Sequence, residues 1–352
     1  MAQRLQVPFE HELVIARPGP RSGYRFIIAI HSSRDTEPAG RAAGGCRLAR
    51  YDDPLDGLYD ALRLSQGMSR KAAIAGTRTG GAKCVIAAPA TESLWPLEGE
   101  RREDVLRDLA EVVNDLDGRY LTGPDVGTTA ADMQWVHGLT PYAGGFAGGG
   151  TTDGTAVGVH ACISAAAEHV FGTAELRGRR VVIVGLGGVG ELLARRLAQA
   201  GAQLIVTDID PEQQAVAAEI GAQWVDPEAA QRHDCEILAP CALGATLTAD
   251  EVRGMTCRLV VGAANNQLAS DDVADVLTEQ GITWVPDFVA NAGGLLYAIS
   301  IGRDRLSGPD SLALVARLGD TAREVLRRAE RERSSTLQAA IGIADERLKT
   351  PG

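Results

Sequence analysis

The chain has 352 residues, 45% hydrophobic and 23% charged, and a formal net charge of −11 at neutral pH. That length suits two domains of ordinary size, and that composition excludes a disordered chain. An acid excess without a basic tract argues against a nucleic-acid partner, and no apolar run approaches the roughly 20 residues that cross a bilayer. The opening stretch MAQRLQVPFEHELVIARPG lacks the apolar core of a signal peptide, so a cytoplasmic protein without a membrane partner is expected. The six cysteines (46, 84, 162, 235, 241, 257) form no CxxC and read as reduced thiols, and the histidines are isolated, so no metal site is expected.

In chain order, YRFIIAIHSS (24–33) is β-rich, and residues 53–76 open with acidic residues and continue with apolar residues at helical spacing. AKCVIAAP (82–89) is a short apolar strand. Residues 102–120 form an amphipathic helix with Val105, Leu106, Leu109, Val112 and Val113 on one face. YLTGPDVGTT reads as strand then turn. PYAGGFAGGGTTDG (141–154), with six glycines in fourteen residues, is the best linker or hinge. A helix over 155–172 follows, and then regular alternation: strand 180–185, helix 188–199, strand 203–210, helix 212–220. Further strand-like runs are QWVD, CEILAP, RLVVGAA and GITWVPD. Such alternation builds a doubly wound parallel sheet. Residues 311–348 are helical by pattern.

VVIVGLGGVGELLARRLAQAGAQLIVTDID carries G-x-G-x-x-G as Gly185, Gly187 and Gly190, with Leu186, Gly188 and Val189 completing the loop. A strand precedes it, a helix begins in it, and a second strand ends at Asp208. The glycines allow a tight turn, close approach of a pyrophosphate and tight helix packing, while the helix N-terminus offers free N–H groups. Asp208 would accept bonds from the adenine ribose hydroxyls and repel a 2′-phosphate, so NAD is expected over NADP.

Of 35 basic residues only three are lysines, and two of them, Lys71 and Lys83, stand twelve residues apart among small and apolar residues. Lysine can lose its proton where arginine cannot, and two nearby cations depress one another's pKa. A base beside a substrate-holding cation is what a dehydrogenase needs to move a proton as hydride leaves. Asp125, after a strand at a Gly-Pro turn, is a plausible partner, although alone it reads first as a turn-capping residue. Asn265 and Asn266 end an apolar strand, where a parallel sheet presents ligand-binding groups, and Asn291 opens NAGG.

The segments GGAKCVI, GPDVGTT, GLGGVG, APCALGAT, GAANNQL and PDFVANAGG, in this order and spacing, resemble the Glu/Leu/Phe/Val amino-acid dehydrogenase family from about Ile27 to Tyr297. The resemblance implies an α/β chain of two domains. An N-terminal α/β catalytic domain with a mixed sheet (residues 1–145) would bind substrate and oligomerise. A Rossmann-type doubly wound parallel sheet (146–324) would bind NAD, and a C-terminal helix (about 325–352) would return to the first domain. The implied reaction converts an L-amino acid, NAD⁺ and water reversibly into a 2-oxo acid, ammonia and NADH, in a homo-oligomer.

Position by position, Lys71 resembles the lysine that binds the substrate carboxylate. Lys83 resembles the one that activates water, and Asp125 the aspartate that shuttles protons at the amino group. Gly44 and Gly45 match the glycine pair beside the substrate. One or both of Asn265 and Asn266 would fix the substrate carboxylate or the nicotinamide region, with Cys241, Ala242 and Asn291 on the cofactor side. Ala43 stands where glutamate-specific relatives place a lysine, which disfavours glutamate. Gly123 and Leu295 resemble the phenylalanine-type pocket, which small Ala43 and Ala298 enlarge. The implied substrate is therefore apolar and aromatic, with branched-chain leucine or valine as the alternative and an inactive nucleotide-binding regulator as a third reading. Relatives vary before TAVGV, and Asp153 there is expected to alter the hinge or the nicotinamide approach.

Overall fold

The computed structural model describes residues 10–33, 40–92, 96–144, 150–242, 244–302 and 304–349. Contacts divide the chain into two units, Met1–Gly148 with Arg347–Gly352, and Gly149–Glu346. No helix among the described residues is long and apolar enough to cross a membrane.

The first unit forms strands β1 (Leu13–Pro18), β2 (Arg25–Ser32), β3 (Ala42–Tyr51), β4 (Gly80–Pro89) and β5 (Tyr120–Pro124), in the order β1-β2-β4-β3-β5. β2 is antiparallel to β1 and β4, whereas β3 is parallel to β4 and β5, so the sheet is mixed. β4 is buried from Gly80 to Ala88 because both its faces are covered, which is why it reads as one apolar run. On one face Val85 and Ala87 pack with Ala61 and Leu62 of the helix Pro54–Ile74. On the other, Cys84 and Ile86 pack with Val105 and Leu109 of the helix Gly99–Asn114. Strand side chains alternate, so Gly81 and Lys83 share the face of Val85. Gly81 needs to be glycine: a Cβ there would lie 2.0 Å from the backbone nitrogen of Ser69, so its absence seats the first helix on β4. At the end of that helix the Arg347 guanidinium donates to the Ile74 carbonyl at 2.7 Å.

The second unit is a six-stranded parallel sheet. Its strands are β6 (Arg180–Val184), β7 (Gln203–Thr207), β8 (Gln223–Trp224), β9 (Ile237–Pro240), β10 (Leu259–Val260) and β11 (Thr283–Trp284), ordered β11-β10-β9-β6-β7-β8. The chain runs outward from β6 through β7 to β8, then crosses back to β9 on the other side of β6. The strand order thus reverses between β6 and β9, where such sheets bind nucleotides beyond their carboxyl ends. Trp284 is a core residue, buried and donating to the Gln267 side chain at 3.0 Å.

The glycine-rich segment differs from its expectation as a linker through residue 154. Residues 145–149 lie outside the described residues, but the helix Gly150–Phe171 already contains Thr151–Gly154, with Asp153 in its first turn. Its glycines recur at 150, 154 and 158, one face of a helix. A Cβ on Gly150 would fall 2.1 Å from the Tyr297 ring, and one on Gly154 2.7 Å from Tyr297 Cβ and 2.8 Å from the Gly293 carbonyl. These glycines therefore let the helix Gly293–Gly302 pack closely, which composition alone disguised as flexibility. Gly154→Ala is expected to destabilise the protein by about 1–3 kcal/mol through overpacking, read as a lower midpoint in denaturant unfolding.

The C-terminal segment expected to return from about residue 325 is divided later. Residues through Glu346 group with the second unit and Arg347–Gly352 with the first.

Candidate active site

In the first unit the structure brings together Lys83 and Asp125. The Lys83 ammonium donates to Asp125 Oδ2 at 2.8 Å, with the lysine side chain only 6% exposed and the aspartate 24%. Lys83 is carried by the buried strand β4. Asp125 follows β5 in a turn closed by Thr128, whose hydroxyl accepts from the Asp125 N–H at 3.0 Å and donates to the Cys46 carbonyl at 2.7 Å. Burial acts to raise the Asp125 pKa, but Lys83 and then Arg47 outweigh it and hold the carboxyl below its usual range. Asp125 is therefore an ionised acceptor at neutral pH.

β3 lies between these elements, and its glycines have a packing reason. A Cβ on Gly44 would sit 1.7 Å from the Ala82 carbonyl, and one on Gly45 2.7 Å from the Pro124 carbonyl and 2.8 Å from Asp125 Cβ. Parallel pairing sets Ala43 opposite Gly81 and Leu121, and Gly45 opposite Gly123. Two residues on from the Ala43–Gly81 pair, Gly45 stands opposite Lys83. Ala43, Gly45, Leu121, Gly123 and Lys83 thus share one face, where the lysine stands among small and apolar residues. Lys71 is half-buried in the last turn of the helix packed on this face.

Sequence reasoning missed Arg47, Asp60, Tyr51 and Leu121. The Arg47 guanidinium donates through Nε to Asp125 Oδ2 at 3.1 Å and through Nη1 to Asp60 Oδ2 at 3.0 Å, and the Tyr51 hydroxyl donates to the same Asp60 oxygen at 2.9 Å. An arginine in AAGGCR, two residues past Gly45 on the same strand face, was the available signal.

In the second unit the three fingerprint glycines have three different surroundings. Gly185 has φ +102° and accepts no Cβ beside Ala242. At Gly187, among the described residues, nothing beyond its chain neighbours lies within 4 Å of where a Cβ would be, leaving room for a ligand to reach the backbone. Gly190 would press a Cβ to 1.9 Å from the Gly185 carbonyl, so helix and turn touch. Gly188 opens the helix Gly188–Gln199, whose N-cap Gly187 gives its first N–H groups no side-chain acceptor. Leu186 donates its N–H to Asp208 Oδ2 at 2.6 Å, and Asp210 to Oδ1 at 2.9 Å, which orients the carboxylate and leaves each oxygen further acceptor capacity. Cys241 follows β9 and is tied to the Val184 carbonyl at 2.8 Å.

The asparagines form a neighbouring group. Asn291 Nδ2 donates to Asn265 Oδ1 at 2.9 Å and to the Ala263 carbonyl at 3.2 Å, while its buried Oδ1 has no partner among the described residues. Asn266 has φ +51° and gives its N–H to Asp287 at 2.8 Å. Leu295 and Ala298 lie half-buried, one turn apart, on the helix Gly293–Gly302. The open backbone at Gly187, the carboxylate at the end of β7 and the unpartnered Asn291 oxygen fit a bound dinucleotide. Among the described residues no cluster of three or more histidine, cysteine or acidic side chains could hold a metal.

Residues 20–142 match the Glu/Leu/Phe/Val dehydrogenase dimerisation domain, and residues 208–300 the Glutamate/Leucine/Phenylalanine/Valine dehydrogenase family. Leucine dehydrogenase of Bacillus cereus is 36% identical over 97% of this chain and 91% of its own length. The chain belongs to the Glu/Leu/Phe/Val dehydrogenase family. Phenylalanine dehydrogenase of Thermoactinomyces intermedius is 35% identical over 97% of this chain and 92% of that protein. The crystal structure of L-tryptophan dehydrogenase from Nostoc punctiforme superposes with a TM-score of 0.82 at 33% identity, covering 96% of this chain and 97% of that one. Residues 159–243 also match the NAD binding domain of D-isomer specific 2-hydroxyacid dehydrogenases. This family member is an NAD-dependent amino-acid dehydrogenase acting on the CH–NH2 group.

Proposed function

We propose that the enzyme oxidatively deaminates an apolar L-amino acid, favouring an aromatic side chain, with Lys83 and Asp125 as its catalytic residues. The observation that carries this reading is the buried Lys83–Asp125 pair beside small and apolar strand residues. Lys71 holds the substrate carboxylate. Asp125 accepts and returns protons at the amino group. Lys83 draws a proton from water as it adds to the iminium carbon, after which ammonia leaves and the 2-oxo acid remains. Gly44 and Gly45 keep the backbone low beside the substrate. When bound, NAD⁺ would supply the hydride acceptor. Gly185–Gly190 would hold its pyrophosphate and Asp208 its adenine ribose, with Cys241, Ala242, Asn266 and Asn291 on the nicotinamide side and Asn265 with Asn266 for the substrate carboxylate. The match to a dimerisation domain supports a homo-oligomer assembled through the first unit.

The side-chain preference rests on Ala43, Gly123, Leu295 and Ala298. Ala43 offers no cation to a second carboxylate, and burying one unpaired costs several kcal/mol, which disfavours glutamate. Among the described residues Gly123 has the Gly144 carbonyl alone near, at 3.6 Å from a would-be Cβ, which leaves room for a ring and lets an added methyl fit without strain. The 36% identity to leucine dehydrogenase favours a second reading, a branched-chain substrate.

NADH formation at 340 nm with L-Phe, L-Trp, L-Leu, L-Val and L-Glu separates the two readings. Faster turnover of Phe or Trp is the expected result, and faster turnover of Leu or Val overturns the aromatic preference while keeping the chemistry. Gly123→Ala is expected to lower kcat/KM for Phe relative to Leu by about tenfold, the scale of one misplaced methyl in a pocket.

A further inference from the structure

We propose that Arg47 is a positioning residue: held by Asp60 and Tyr51, it fixes Asp125 Oδ2 beside Lys83 and so presents Oδ1 to the substrate amino group. The inference rests on the dehydrogenase reading above and adds a residue to it. Both cations meet the same carboxylate oxygen, Lys83 Nζ at 2.8 Å and Arg47 Nε at 3.1 Å. Among the described residues nothing donates to Oδ1. A carboxylate rotates freely about its own bond, but two donors from β3 and β4 converging on one oxygen leave a single orientation.

Arg47 is fixed in turn. Its Nη1 donates to Asp60 Oδ2 at 3.0 Å, and Tyr51 donates to that oxygen at 2.9 Å. Burial and then Asp60 push the Tyr51 phenol up, so it remains a donor at any working pH. Arg63 Nη2 reaches the other Asp60 oxygen at 3.3 Å. A planar guanidinium suits this bridge because its fork holds two carboxylates at a set angle, which an ammonium on a flexible stem does not. The titratable groups facing Asp125 are Lys83 from β4, Arg47 and Cys46 from β3 and Tyr120 from β5. The helix Pro54–Ile74 adds Asp60 through Arg47 and carries Lys71 in its last turn. Burial above all raises the Cys46 thiol and the Tyr120 phenol, and both stay neutral. Arg47 is thus one of two cations that keep Asp125 ionised.

The test is the pH profile of kcat for wild type, Arg47→Gln, Arg47→Lys and Asp60→Asn, on whichever amino acid the wild type turns over best. For Arg47→Gln we expect the acid limb to move to higher pH, because one cation opposing protonation is gone, and kcat to fall about tenfold or more with KM for NAD⁺ unchanged. Arg47→Lys should restore the acid limb but not kcat, since it returns the charge without the fork. Asp60→Asn should lower kcat in the same direction by less, and it gives an independent reading if Arg47→Gln does not fold. An unmoved acid limb and an unmoved kcat in the folded variants overturn the positioning role. A wild type that reduces NAD⁺ with no amino acid instead overturns the dehydrogenase reading beneath it.

Discussion

Lys83→Ala is expected to reduce kcat by about a thousandfold while leaving NAD⁺ affinity unchanged. A positioned acid or base contributes roughly 10²–10⁴ to a rate, and of the two cations that meet Asp125 Oδ2 only the lysine belongs to a residue type that can give up its proton. The fold should survive, because Asp125 keeps Arg47 at 3.1 Å and is not left as an unpaired charge. Lys83→Arg makes the sharper comparison. It restores a cation beside Asp125, but a guanidinium does not deprotonate in a protein, so a base function stays lost. Initial rates at 340 nm and NAD⁺ titration by calorimetry would read both variants. A Lys83→Arg enzyme with near-normal turnover would falsify the assignment of Lys83 as base and reduce it to a counterion of Asp125.

The pair was legible in the sequence because lysine is so scarce here. Two of three lysines in an apolar stretch demand a reason, and β4 supplies it by burying Lys83 at 5% exposure. Arg47 was overlooked for the opposite reason. One arginine among dozens carries no compositional signal, and its two carboxylate partners lie 13 and 78 residues away. Only the pairing of β3 between β4 and β5 brings them together, and that pairing depends on long-range register. The glycines show the same limit from another side. Gly185, Gly187 and Gly190 were readable because each position in the fingerprint has its own steric reason, whereas Gly150 and Gly154 were absorbed into a linker by sheer glycine density. Their four-residue spacing marked a helix face, but a helix face of glycines gains its stability from what packs on it, here Tyr297 and Gly293, and local sequence does not display those neighbours.

The largest effect on cofactor binding is expected at Gly190, and Gly187 provides its control. Gly190→Ala sets a Cβ 1.9 Å from the Gly185 carbonyl, a backbone atom that cannot swing aside. The helix Gly188–Gln199 must then lift from the turn after β6, moving its N-terminal N–H groups away from the pyrophosphate position. NAD⁺ affinity should fall about a hundredfold or more, with a lower thermal midpoint, because the apo protein itself is strained. Gly187→Ala should weaken NAD⁺ by about tenfold or more and leave the apo midpoint unchanged, since among the described residues no atom beyond its chain neighbours lies within 4 Å of the new methyl. Calorimetric NAD⁺ titration together with apo thermal melts separates the two mechanisms. Equal NAD⁺ affinity in Gly187→Ala and wild type would mean that the pyrophosphate does not approach the loop there, and the dinucleotide would have to be sought away from the helix N-terminus. A loss at both positions, with strain at Gly190 alone, would place the pyrophosphate against the backbone at Gly187 and fix the end of β6 as the cofactor's anchor.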